Sequence, residues 1–139
     1  MIAFRPIEDR DIGSVIALWS DCSLTRAWND PHTDIAFARG KENSDILVGI
    51  VENAIAASVM VGHDGHRGML YYVAVAPRFQ DQGLGKLAVR EAEAWLKARG
   101  VWKINILVRS ENAKVRGFYE KLGYEIGDVW CMGRRILEE

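Results

Sequence analysis

The junction between Leu70 and Leu96 constrains this chain more than any other stretch. Leu70 to Val75 is an apolar run with β-branched residues. Pro77-Arg78-Phe79-Gln80-Asp81-Gln82-Gly83-Leu84-Gly85 follows it, and apolar residues then recur at Leu84, Leu87, Ala88, Ala92, Trp95 and Leu96. The first pattern predicts a buried strand and the last a helix with one apolar face. A glycine turn must join them. The first turn of a helix has unpaired N–H donors and a partial positive charge. Gly83 and Gly85 put no Cβ in the path of an approaching phosphate. The junction is therefore a candidate anion site.

Two common phosphate loops fit it poorly. A Walker A loop needs glycine where Gln80 stands and Ser or Thr where Leu87 stands, so the metal-binding hydroxyl is missing. A Rossmann fingerprint survives only in its variant with a final alanine, Ala88. It also expects an acid at the tip of the next strand, and none stands near Val108-Arg109. The nine-residue pattern resembles instead the pyrophosphate loop of the GNAT N-acetyltransferases, Q/R-x-x-G-x-G/A after a strand. That resemblance implies that Gln80, Asp81, Gln82, Gly83, Leu84, Gly85 and Lys86 take the pyrophosphate of acetyl-CoA.

A second segment lies downstream. Asn112 to Leu122 reads as a short helix. Asn112 is a good N-cap, and Val115, Phe118, Tyr119 and Leu122 fall on one apolar face. Gly123 suits the left-handed position that ends a helix. By residue type alone, Tyr119 is either a core tyrosine or one with a working hydroxyl. The segment is similar to the second GNAT cofactor segment, N-x-x-(A/V)-x-x-x-Y-x-x-x-G-(F/Y). The resemblance implies that Asn112 bonds the pantetheine or phosphate end, and that Tyr119 meets the cofactor and protonates the leaving thiolate.

Basic and acidic residues nearly cancel, leaving net charge −1, so no broad basic field invites nucleic acid. No apolar run suits a membrane span, and Met1-Ile2-Ala3-Phe4-Arg5 does not open a signal peptide. Cys22 and Cys131 share no C-x-x-C spacing and are expected as reduced thiols of a cytoplasmic protein. His63-x-x-His66 in a turn with one acid is weak ligand spacing, so no metal is expected. No linker or repeat divides the chain, which predicts a single domain over 1–139.

The coarse order is a strand Ile2 to Pro6, a helix Asp9 to Asp21, and a second helix from Pro31 to about Arg39. Strands Ile46 to Val51 and Ala54 to Gly62 flank Glu52-Asn53. Strand Met69 to Ala76, a helix ending at Gly100, strand Trp102 to Val108 and helix Asn112 to Leu122 follow. A hairpin-like segment from Tyr124 to Ile136 closes the chain. The order β-α-α-β-β-β-α-β-α-β-β predicts an α/β (α+β) fold, a mixed sheet with helices on both faces. It is also the order of the GNAT fold. Trp28-Asn29-Asp30-Pro31 and Asp64-Gly65-His66-Arg67-Gly68 look similar to the YpeA-type bacterial branch of that family. Many relatives pair through C-terminal strands, which implies a homodimer using Val129, Trp130 and Met132.

The resemblance also implies a mechanism. The backbone of Val73, Ala74 and Val75 holds the pantetheine arm as an added strand, and an N–H near Val73 polarises the thioester carbonyl. The general base is not identified by any motif. Where some relatives carry Glu, this chain has Leu107. Asp64, His66, Glu111 and Asp30 remain candidates. His66 titrates in the useful range, although Asp64-Gly65-His66 also reads as a plain turn. Trp28 and Asp30 stand in the loop that walls the acceptor pocket in this family, where a ring face and a carboxylate suit an amine. Asp30 equally reads as a helix cap. The expected activity is acetyl-CoA-dependent N-acetylation of a primary amine of a small molecule or peptide. The alternative is a non-catalytic acyl-CoA sensor or interaction module of the same fold.

Overall fold

Glu52 and Asn53 both adopt left-handed backbone, φ +48° and +64°. That pair is what a tight two-residue hairpin needs to match the twist of its strands. It joins strands β2 (Ser44–Val51) and β3 (Ala54–His63), in register from Val51 opposite Ala54 to Ser44 opposite Gly62 with one irregularity at Gly49–Ile50. A computed structural model describes residues Met1 to Leu137. Its remaining elements are β1 (Ala3–Pro6), α1 (Ile12–Asp21), α2 (Pro31–Ala38), β4 (Gly68–Val75), α3 (Leu84–Lys97), β5 (Ile104–Asn105) and α4 (Ala113–Lys121). The sheet runs β1-β2-β3-β4-β5, antiparallel except for the parallel β4–β5 pair. The chain divides into two compact units, 1–106 and 107–139.

In the first unit helices cover both faces of the sheet. Val15, Leu18 and Trp19 of α1 and Ile35 and Ala38 of α2 pack with Ile46, Val48 and Ala74 in one buried cluster. Each Val, Leu or Ile among them contributes about 1.5–3 kcal/mol by leaving water. α3 covers the opposite face with Leu84, Ala88, Val89, Ala92 and Leu96. It comes so close that a Cβ on Gly68 would lie 2.6 Å from Leu96 Cδ1. Among the described residues no helix is long and apolar enough to cross a membrane.

The mixed sheet with helices on both faces is as expected, but two strand expectations need correcting. The strand expected over 102–108 is only Ile104–Asn105. No strand forms among residues 124–136, where a final hairpin was expected. A strand gains little without a ladder partner and an apolar face to bury. Val129 and Trp130 are 84% and 94% exposed, so that burial is absent there.

One buried charge organises the start of the chain. Asp11 ends a 3-10 turn over Asp9–Asp11 and is 6% exposed. It receives both guanidinium nitrogens of Arg5, at 2.6 and 3.1 Å, and the Glu8 N–H at 2.8 Å. The Arg5 hydrogen bond is the main force holding this carboxyl below the usual carboxylate range. Because the folded pKa is depressed, the stabilisation is present above the ordinary pKa of about 3.9 and is lost as pH falls through the lower folded value. Asp11→Asn should lower stability by about 1–3 kcal/mol at pH 7. In denaturant melts across pH 7 to 2, its gap from the native chain should narrow in acid; a constant gap would remove the charge from the explanation.

Candidate functional site

The pairing of β3 with β4 breaks its count at one place. Ser58 stands opposite Ala74 and Met60 opposite Tyr71, so Val59 faces two residues, Tyr72 and Val73. This is a β-bulge, the device by which a strand re-aims its backbone. Tyr72 has φ +51°, a left-handed conformation that a bulky side chain rarely adopts.

Three side chains hold it there. The Tyr72 ring stacks on Trp19 at 3.7 Å between centroids, with planes 9° apart. Trp19 Nε1–H donates to Ser58 Oγ at 2.9 Å, and the Ser58 hydroxyl donates to the Tyr72 carbonyl at 2.9 Å. The Tyr72 hydroxyl donates to Asp34 Oδ2 at 2.7 Å. Trp19 and Ser58 are fully buried. Burial first, and then the bond to Asp34, push the Tyr72 phenol above its ordinary pKa.

Beyond the bulge, β4 exposes backbone. The Ala76 N–H bonds Ala56 O at 2.8 Å, so Ala76 and, two residues back, Ala74 turn toward β3. By the alternation of an antiparallel ladder Val75 turns the other way; Val73 N–H, trans across its peptide to the Tyr72 carbonyl that Ser58 holds, points away from Ser58. On that side the ladder to β5 consists of Gly68–Ile104 and Met69–Asn105. The Val75 carbonyl accepts instead from Gln80 Nε2 at 3.0 Å and Cys22 Sγ at 3.3 Å. The N–H groups of Val73 and Val75 have no ladder partner there among the described residues.

The glycine loop continues from the same strand end. Pro77–Phe79 form a 3-10 turn, and Asp81 and Gly83 take φ +63° and +79°. α3 begins at Leu84 with Gly83 as N-cap and no side-chain cap. Leu87 N–H bonds back to Gly83 O at 3.3 Å. The earlier N–H groups, of Leu84, Gly85 and Lys86, are those a helix leaves unpaired, with the positive end of its dipole behind them. Gln82 and Lys86 are exposed beside them. The Gln80 side chain is spent on Val75 rather than on the loop.

The other expected residues are dispersed. Trp28 lies 54% exposed in the segment between α1 and α2. Asp30 caps α2, its Oδ1 accepting from His32 N–H at 2.9 Å. His66 is exposed in the turn before Gly68, where Asp64 Oδ1 accepts the N–H groups of His66 and Arg67. That turn sits at the Gly68 end of β4, and the bulge near the other. At about 3.3 Å per residue, roughly 20 Å separates His66 from Val73. The structure therefore does not bring His66 to this site. In the second unit, Asn112 caps α4 by accepting from Val115 N–H at 3.2 Å. Tyr119 is buried edge-on to Phe118 and Tyr124, 5.0 and 5.5 Å between centroids, and burial pushes its phenol up to about 12. A concavity of about 810 Å³ lies elsewhere, at the β1 edge beside Phe4, Arg5 and Asn53. Its Arg5 and Asp11 already satisfy each other.

Ser58, Tyr72 and Asp34 did not stand out in the sequence. The one available signal was Ser58, a lone hydroxyl in the apolar run Ala54 to Val61, since a buried polar group needs partners.

Comparison with known proteins adds an independent line. Residues 12–124 match the family model described as the acetyltransferase (GNAT) family, across both units. An acetyltransferase, YE1169, from Yersinia enterocolitica is 43% identical over 133 residues, 96% of this chain and 94% of that protein. AAC(6')-Iy, solved in complex with the bisubstrate analogue CoA-S-monomethyl-acetylneamine, superposes with a TM-score of 0.82 at 14% identity, covering 99% of each chain. The ribosomal-protein-S18-alanine N-acetyltransferase of Escherichia coli gives a TM-score of 0.74 at 24% identity, over 88% of this chain and 77% of that one.

Ser58→Ala strands two buried partners at once, the Trp19 indole N–H and the Tyr72 carbonyl. The expected loss of stability is about 2–4 kcal/mol by chemical denaturation. A loss below about 0.5 kcal/mol would mean that the bulge is held without this hydroxyl.

Proposed function

Because the chain belongs to the GNAT acetyltransferase family, we propose that it transfers the acetyl group of acetyl-CoA to a primary amine of a small molecule or peptide. The observation that carries the proposal is the sequence of features along β4. An open backbone edge at Val73 and Val75 leads within a few residues to the uncapped start of α3. An elongated ligand with amides at one end and phosphates at the other matches that order.

In this reading Val73 and Val75 bond the pantetheine amides as an added strand would. The N–H groups of Leu84, Gly85 and Lys86 receive the pyrophosphate. Val73 N–H polarises the thioester carbonyl, so that charge developing on its oxygen is stabilised. The acceptor, freed of its ammonium proton to solvent, forms the C–N bond through its lone pair; the C–S bond breaks with its electron pair on sulfur, the nitrogen releases a second proton to water, and the thiolate takes a proton from Tyr119. Asn112 and Tyr119 keep the roles that the family resemblance gives them, pantetheine contact and proton donor. A phenol raised to about 12 is fully protonated at neutral pH, the state a donor needs.

Two substitutions test this. Gly85→Glu places a carboxylate among the proposed phosphate donors and should weaken acetyl-CoA binding at least tenfold; unchanged calorimetric affinity in a folded variant would reject the loop as the binding site. Tyr119→Phe keeps the ring between Phe118 and Tyr124. Acetyl-CoA affinity should hold while thiol release falls about 10²–10⁴-fold. An unchanged rate beside a lowered melting point would return Tyr119 to a packing role.

A further inference from the structure

Asp34 is the residue in the bulge network whose chemistry is unspent. Its neighbours in that network are satisfied: Trp19 gives its one N–H, and Ser58 both donates and accepts. The Asp34 carboxylate accepts from Tyr72 through Oδ2. An ionised carboxylate has about four acceptor positions across two oxygens. Among the described residues it makes no ion pair with Lys, Arg or His. Arg26 acts electrostatically on the Tyr72 hydroxyl, yet its guanidinium donates to the carbonyls of Ser23 and Thr25. Both Asp34 and Tyr72 are half-buried rather than sealed. A half-buried carboxylate with no direct ion pair and spare acceptor positions can take a charge-assisted hydrogen bond from a bound cation.

Its placement is specific. Tyr72 is held at a strained φ of +51°, and its stack on Trp19 fixes where its hydroxyl, bonded to Asp34, stands. Strain of this kind persists where the surroundings over-determine it, which is common at ligand sites. The residue after Tyr72 is Val73, whose N–H turns outward from β3. Trp28 is exposed on the loop that leads into α2. A carboxylate, an aromatic face and an outward N–H thus belong to adjoining segments of the first unit.

The geometry points to Asp34 as the receptor for a positively charged acceptor amine, with Tyr72 as the residue that positions its carboxylate. The inference rests on the acetyl-transfer reading and deepens it: it names the residue that recognises the charge of the acceptor.

The test uses the full chain, acetyl-CoA, an alkylamine (n-butylamine) and an arylamine (aniline, uncharged at neutral pH). Asp34→Asn keeps an acceptor for Tyr72 and removes the charge. It should raise KM for the alkylamine about 10- to 100-fold, the worth of a charge-assisted hydrogen bond. Any slower reaction with aniline should be unaffected, and acetyl-CoA affinity should hold. Asp34→Glu should recover part of the alkylamine KM. Tyr72→Phe should raise the alkylamine KM several-fold, with a smaller change in kcat. If Asp34 only clamps α2, Asp34→Asn will lower the melting point and leave the KM for n-butylamine unchanged, which overturns the inference. A native chain that binds acetyl-CoA and acetylates aniline in preference to n-butylamine overturns it as well, leaving the acetyl-transfer reading intact. A native chain that, under saturating acetyl-CoA, acetylates neither of these amines nor lysine-containing and N-terminal peptides overturns both.

Discussion

The hydrogen bond from Ser58 to the Tyr72 carbonyl is the constraint on which the first unit turns. It fixes a backbone conformation that the residue would not choose. Ser58 is itself fixed by the Trp19 indole from above. One hydroxyl thereby joins α1, β3 and β4 in the interior, where water cannot replace either partner. Because the low-dielectric interior strengthens a satisfied polar network and penalises a broken one, the bulge behaves as a rigid feature.

That rigidity changes what each face of β4 presents. Gly68 turns toward Leu96 of α3, and by two-residue alternation Leu70 shares its face. Ala74, four residues further on, packs with Trp19 in the α1–α2 cluster. The parity has flipped, and the extra residue at Tyr72–Val73 flips it. The same insertion sets Tyr72 against Trp19 and turns Val73 outward. Packing on two faces and a free backbone edge therefore follow from one added residue.

The glycine loop, the α4 helix with its Asn112 cap and the Glu52-Asn53 hairpin were all legible in the sequence, because each is written in local chemistry. Proline, glycine and asparagine state their backbone demands within a few positions. The bulge was not legible. Leu70, Tyr72 and Ala74 read as one continuous apolar alternation, and only the Ser58–Ala74 and Met60–Tyr71 register reveals the slip. Asp34 was missed for a related reason. Its partner is 38 residues away, and no periodicity connects an α2 carboxylate to a β4 phenol. His66 is a contrasting case. Its side chain has attractive chemistry, but the length of β4 carries it away. The segment after Tyr124 reads as strand by composition, but strand formation depends on a partner that composition does not specify.

The bare start of α3 has a thermodynamic consequence. A side-chain N-cap is worth about 1 kcal/mol over alanine and a few tenths over glycine; α3 has Gly83 there and no side-chain oxygen. Any anion that settles on Leu84, Gly85 and Lys86 acts as the missing cap and binds the folded chain alone. Ligand occupancy and helix integrity are then one equilibrium. The first turn of α3 should fray in the empty protein and close as anion concentration rises, and the whole unit should gain stability with the logarithm of that concentration. A helix end left incomplete in this way makes the fold report on its own ligand supply.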